Sequence, residues 1–123
     1  MKSLMGIGLL ATGIGFGVSA PALAHHSHAM FDHNEEVTVT GKVTEMSFHN
    51  PHVFLYVDVQ SENGETVNYW VEMSNIPNMI RRGIGLNTFK QGDVITVHMH
   101  PLSDGRPGGS YITVVAADGV TYD

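Results

Sequence analysis

Histidine is the residue type in this sequence with the clearest potential for chemistry. Of the eight histidines, four lie within residues 25–33, and the others form two pairs, His49 with His52 and His98 with His100. Imidazole nitrogen is a good ligand for copper, zinc, nickel and iron. Because the sequence contains no cysteine, a transition-metal site in this protein would depend mainly on these imidazoles.

An Ala-X-Ala site directly precedes the first histidines. Lys2 gives a positive start, residues 4–18 are apolar and uncharged, and Ala22-Leu23-Ala24 has the small residues of a cleavage site. We therefore predict that residues 1–24 are a secretory signal peptide, cleaved after Ala24, and that the mature chain is periplasmic or secreted. His25 would then carry a free α-amine beside its imidazole. This chelate suits the tetragonal geometry of Cu(II), so copper is the first candidate metal and zinc the second.

The elements that would position the histidines are β-strands. Apolar and polar residues alternate from Val37, from Val53, from Val67 and from Ile95, and residues 111–116 form a fifth β-rich run. Side chains of one strand point to opposite faces in turn, so each run has one face for the core and one for solvent.

Three strands, a short helix and two further strands are the order of elements in an OB-fold barrel. Asn75 is suited to cap the helix and Pro77 to begin it, while Gly41 lies where such a barrel needs a sharp bend. We predict an all-β fold, a small five-stranded OB-like barrel over residues 37–123 with one short helix between strands 3 and 4. A His-rich N-terminal segment, residues 25–36, precedes it. A small two-sheet sandwich is the alternative.

The predicted barrel would bring separated histidines together. The turn between strands one and two and the loop after strand four lie at the same end of the binding face in an OB-fold. His100 would then approach His49 or His52, with the N-terminal segment folded over them. The alternative is that these histidines are solvated surface residues. A flexible N-terminal tail rich in histidine would then bind metal weakly and without a biological role. The predicted metal ligands are His25, His26, His49, His52, His98 and His100.

Three aromatic residues form a second candidate site. Phe54 and Tyr56 share the outer face of strand two, and Trp70 lies on that of strand three, where exposed rings would stack on a ligand. After the leader, five basic residues against twelve acidic ones give a formal charge of −7, which argues against nucleic acid and anionic lipid. A sugar, a small apolar molecule or a periplasmic partner protein fits better. The alternative is that Met30 and Phe31 cover the rings.

Five separated motifs carry a resemblance to a known family. The motifs are His25-His26-Ser27 with Phe31-Asp32, Asn50-Pro51-His52, Trp70-Val71-Glu72, Lys90-Gln91-Gly92-Asp93, and His100-Pro101-Leu102 with Asp104-Gly105. In this order along the mature chain, they resemble an uncharacterised family of small exported bacterial proteins, domain-of-unknown-function family 6152. The resemblance implies an exported, single-domain, β-rich protein and no known activity, and His98 lies outside the pattern.

The sequence thus predicts a soluble periplasmic binding module that holds copper or zinc through histidines. The alternative is a metal-free accessory domain that binds a protein or a small ligand through Phe54, Tyr56 and Trp70. We predict no catalytic residues, because the chain has no GxSxG elbow, no recognisable carboxylate pair and no P-loop. A copper oxidase-type enzyme is the least favoured reading. No segment after the leader is expected to span a membrane.

Overall fold

A computed structural model describes residues 26–123 of the chain, with side chains from His28 onward. The predicted signal peptide, its cleavage site and His25 lie outside the described residues. The described part forms six strands and two short helices. In chain order these are α1 His26–Ala29, β1 Val37–Ser47, β2 Phe54–Gln60, β3 Thr66–Glu72, α2 Ile76–Arg81, β4 Val94–Pro101, β5 Gly108–Val115 and β6 Thr121–Tyr122.

One continuous sheet closes on itself. Its strand order is β3-β2-β1-β4-β5-β6, and a parallel pairing of β3 with β5 joins the two sides into a barrel of five strands. Closure pairs strand edges that would otherwise be open to other chains. The predicted OB-like barrel with a helix between strands 3 and 4 is confirmed, and the two-sheet sandwich is wrong. The short β6 pairs with the end of β5 and was not predicted.

The long first strand, β1, pairs with two neighbouring strands. Its first half pairs with β4 and its second half with β2, and Lys42 takes part in both pairings. Gly41 lies at this crossover, where a Cβ would fall on the carbonyl oxygen of Asp58 and within 2.9 Å of Val57 Cγ1. Glycine is therefore required there for a close approach of two strands, which agrees with the bend predicted at this position.

The alternation in the sequence places one face of each strand in the core. The alternation alone predicts that eight residues of these runs point inward, and seven of them are buried. Val39 is half-buried, because it lies towards an end of the barrel that is less well covered. The seven are Val43, Leu55, Val57, Val71, Ile95, Val97 and Val114, none more than 1 % exposed.

The helix α2 closes one end of the barrel. Asn75 caps it, because its Oδ1 accepts a hydrogen bond of 2.9 Å from the Asn78 N–H. Met79 of α2, with Ile84 and Phe89 from the following loop, belongs to the buried core. No helix within residues 26–123 has both the length and the apolar character needed to cross a membrane.

The N-terminal segment packs against the barrel next to the end of β4. Phe31 forms a β-bridge with Leu102 and is only 5 % exposed. The Asp32 N–H donates to the Pro101 carbonyl at 2.8 Å, and the Ser103 N–H donates to the Met30 carbonyl at 2.9 Å. These contacts fix the side chains of the segment relative to the outer face of the sheet.

Candidate functional site

Histidines concentrate where the N-terminal segment meets the barrel. His28 and His33 come from the segment, His98 and His100 from β4, and His52 from the turn before β2. Four of them contact or face a histidine or a glutamate across this boundary, and His52 lies against Glu72 within the barrel. We call these five residues the histidine seam. They are five of the six histidines whose side chains the structure describes.

His33 and His100 form the closest pair of the seam. Their ring centroids lie 5.0 Å apart and the ring planes are inclined by 63°. His33 Nε2 donates to the His28 carbonyl at 3.1 Å, and His100 Nδ1 donates to the Glu35 carbonyl at 2.9 Å. A carbonyl oxygen only accepts, so each of these nitrogens carries the proton of the neutral ring. The opposite nitrogens, His33 Nδ1 and His100 Nε2, therefore keep a lone pair.

His52, which lies against Glu72, is a second and more enclosed part of the histidine seam. The Glu72 side chain is 11 % exposed, and its Oε1 lies 3.3 Å from His52 Nδ1. His52 Nδ1 also donates to the Met73 carbonyl at 3.1 Å, which leaves Nε2 as the lone-pair nitrogen. These side chains open onto a cleft of about 210 Å³. Its lining consists of His28, Phe31, His52, Glu72, Met73, Ser74, Ser110 and Tyr111.

Burial raises the pKa of Glu72, and the neighbouring His52 and His28 oppose this effect. A carboxyl group with a raised pKa in the folded state binds its proton more tightly there than in the unfolded chain. Stability is therefore gained as the pH falls through the folded pKa, and at neutral pH the ionised carboxylate opposes folding.

We therefore expect Glu72→Gln to melt at a higher temperature than the unsubstituted protein at pH 7. The advantage should shrink as the pH falls towards about 4, near the ordinary carboxyl pKa, since both proteins are then neutral at this position. Thermal unfolding between pH 4 and 8 measures it, with exposed Glu62→Gln in the β2–β3 turn as control. A lower melting temperature for Glu72→Gln at pH 7 would mean that the pairing with His52 outweighs burial.

His98 and His100, which are two residues apart in β4, have different hydrogen-bonding partners. Its Nε2 lies 2.9 Å from Glu36 Oε2, while His100 is held by the backbone of Glu35. Both histidines lie on the outer face of β4, because residues two positions apart on a strand point to the same face. Two consecutive residues of the N-terminal segment thus hold two histidines of one strand.

The predicted ligands are only partly brought together. His52 meets Glu72, and the ring contact of His100 is with His33, not with His49 or His52. His49 is exposed and makes no ring contact or hydrogen bond with another described histidine. His25 and the His26 side chain lie outside the described atoms. Within residues 28–123, no three His, Asp or Glu side chains are arranged to hold one metal ion.

Sequence reasoning missed three residues of this site. His28 and His33 belong to the N-terminal histidine group but were not chosen as ligands, because the path of the segment over the barrel was unknown. Glu72 was not chosen either. The available signal was an acidic residue in the outward register beside Trp70, on a strand otherwise rich in apolar and aromatic side chains.

The three aromatic residues of the second candidate site lie together, and the N-terminal segment partly covers them. Phe54 has ring-centroid distances of 6.5 Å to Tyr56 and 6.1 Å to Trp70. Phe31 packs edge-on against Trp70 at 6.0 Å. Met30, the other proposed cover, is itself 37 % exposed. Phe31 therefore covers part of Trp70, and all three rings of this face remain half-buried.

Because Trp70 is the only tryptophan, its fluorescence reports this contact directly. We expect Phe31→Ala to shift the emission to longer wavelength and to increase quenching by iodide, since the truncation removes the ring that shields the indole. Tyr122→Ala, which removes a ring packed on Phe89, is the matched control. An unchanged emission in Phe31→Ala would contradict the packing of the segment on this face.

Two comparisons with known proteins bear on the family of this chain. No curated protein matches the sequence. The model of a family of unknown function, DUF6152, matches residues 15–111, which includes the N-terminal segment, both parts of the histidine seam and the barrel through the start of β5. The chain therefore belongs to the DUF6152 family of unknown function.

Proposed function

We propose that this protein is an exported module that binds a transition metal, copper first and zinc second, at the histidine seam. The observation that carries the proposal is the His33–His100 pair. One imidazole comes from the N-terminal segment and one from the barrel, and a backbone carbonyl fixes the protonated nitrogen of each. Metal-binding histidines generally donate their other ring nitrogen in this way, which sets the tautomer and orients the ring.

The separation of the two rings is compatible with a shared ion. A metal binds imidazole nitrogen at about 2.0–2.1 Å, so two imidazoles in neighbouring positions on one ion have centroids roughly 4.5–5 Å apart. The observed separation is 5.0 Å. Binding of one ion by both rings would also require that the lone pairs of His33 Nδ1 and His100 Nε2 point towards it.

Two nitrogen ligands are too few to bind a metal ion tightly. The remaining nitrogen ligands would come from the N-terminal segment. The ring of His28 is 5.9 Å from that of His33. His25 precedes His28 by three residues, and after cleavage behind Ala24 it would contribute both an amine and an imidazole. Four nitrogens from His25, His33 and His100 match the preference of Cu(II) for tetragonal nitrogen coordination. Intact-mass measurement of the exported protein tests the cleavage, since retention of residues 1–24 would remove the amine.

A second candidate function is metal-free binding through the outer aromatic face. The observation that favours it is that Phe54 and Tyr56 remain half-exposed beside Trp70. Aromatic rings on this face of a barrel stack on ligands or pack against partner proteins. If the protein binds no metal and a ligand binds at the aromatic face, that result supports metal-free binding and not a metal site at the histidine seam.

Thermal unfolding of untagged residues 25–123, with and without Cu(II) or Zn(II), tests metal binding. Metal that binds only the folded form at 100 times its Kd stabilises by about 2.7 kcal/mol, which raises Tm by roughly 10 °C or more. We expect this shift in the unsubstituted protein and a large loss of it in His33→Ala and His100→Ala. The shift should also fall as the pH is lowered, because an imidazole nitrogen must be unprotonated to bind a metal ion.

His49→Ala is the matched control, since His49 is exposed and lies outside the histidine seam. It should keep the full shift. His52→Ala separates the two parts of the seam, and a reduced shift in this variant would extend the site to the Glu72 cleft. No shift in the unsubstituted protein, or the same shift in all variants, would mean that only a flexible histidine tail binds metal.

A further inference from the structure

The two ends of the barrel are closed to different degrees. At the α2 end, Met79, Ile84 and Phe89 are at most 2 % exposed. At the opposite end, Val37 has the inward register of β1 but is 36 % exposed. An open barrel end with inward apolar side chains is where small barrels bind small ligands.

The open end contains a pocket of about 360 Å³ with an apolar lining. The inner faces of β1 and β3 form one side, and the loop between β4 and β5 forms the other. This volume lies at the lower end of the range for small-molecule sites, roughly 300–1,000 Å³. The apolar and aromatic side chains of the lining are those of Val37, Val39, Val67, Tyr69, Pro101, Leu102 and Pro107.

Arg106 is the one charged side chain of this lining, and the carboxylate of Asp104 balances its charge. Its Nε donates to Asp104 Oδ2 at 2.7 Å, and its backbone N–H donates to Asp104 Oδ1 at 3.1 Å. A guanidinium has five N–H donors, so donors remain for a ligand at the rim. Because the pair is neutral and residues 25–123 carry a formal charge of −7, the pocket disfavours an anion.

We propose that the open end of the barrel binds a small, neutral, apolar molecule that carries one hydrogen-bond acceptor such as a carbonyl oxygen. The apolar body would lie against Val39, Val67 and Tyr69, and the acceptor would take a hydrogen bond from Arg106. This site is separate from the histidine seam and from the outer aromatic face, and it does not depend on metal binding.

Titration with 2-octanone, followed by the backbone amide NMR signals of residues 25–123, tests the proposal. Octanoate, which has a similar chain but a negative charge, is the ligand control. We expect saturable shifts centred on Val37, Val67 and Gly108 with the ketone and weaker binding of octanoate. Arg106→Gln should weaken binding of the ketone about tenfold, the loss expected for a hydrogen bond to a charged group. Lys90→Gln should leave it unchanged.

Val37→Phe fills the pocket from a position that is already partly exposed, and it should abolish binding while its dispersed amide spectrum shows that the fold is intact. Three results would overturn the proposal. They are the absence of saturable shifts up to the solubility limit of the ketone, shifts centred on Phe54 and Tyr56 in place of the barrel end, and binding of octanoate as tightly as the ketone.

Discussion

Leu55→Ala is expected to lower the free energy of unfolding by roughly 2–5 kcal/mol. Leu55 is the second residue of β2, is fully buried, and packs in the continuous core formed by β1 to β5 and α2. Truncation removes buried methyl groups and leaves a cavity that the closed barrel can only partly fill. Urea denaturation of the variant, with an unchanged m-value, measures the loss.

Lys42→Ala is the control for this prediction, because Lys42 lies on the exposed face of β1. Its cost should be about 0.5 kcal/mol or less, as for most surface substitutions. Similar losses in the two variants would contradict the assignment of the inward face.

Gly41→Ala is expected to destabilise by about 1–3 kcal/mol for a different reason. The added methyl group would collide with the Asp58 carbonyl of β2, which is backbone and cannot rotate away. Either β1 and β2 separate at the crossover or the close pairing near Lys42 is distorted. Urea denaturation measures this loss as well, and amide exchange at the β1–β2 boundary should become faster.

Gly85→Ala is a matched control for Gly41→Ala. A methyl group at Gly85 would have nothing nearer than Thr88 Oγ1, at 4.0 Å. We expect this variant to be neutral or slightly stabilised, since alanine reduces the freedom of the unfolded chain. A Gly41→Ala variant as stable as Gly85→Ala would show that the crossover tolerates a side chain.

Local pattern was enough to predict most of the fold. The period of two in the apolar residues identified five strands and the inward face of each, because strand side chains alternate regardless of what they pack against. Asn75 and Pro77 marked the start of α2 through hydrogen-bonding and backbone preferences that act within one turn. The order of these elements favoured the barrel over the sandwich, and the parallel β3–β5 pairing closed it.

The candidate site was predictable in residue type but not in arrangement. The sequence indicated that imidazoles would be the main metal ligands and that His98 and His100 share a face. It did not indicate that His100 would meet His33, or that Glu72 would lie against His52. These contacts depend on where the N-terminal segment crosses the barrel, and that path is set by Phe31 packing beside Leu102 and Trp70.

The sequence by itself therefore determined the strands, their buried faces, the capped helix and the chemical class of the candidate ligands. Only the tertiary structure decided which histidines lie together, how far Trp70 is covered, and that one end of the barrel stays open beside Arg106. The physical reason is the range of the forces involved. Alternation and capping depend on residues a few positions apart, whereas His33 and His100 are 67 positions apart and meet only because a closed sheet and a packed segment leave their side chains on the same surface.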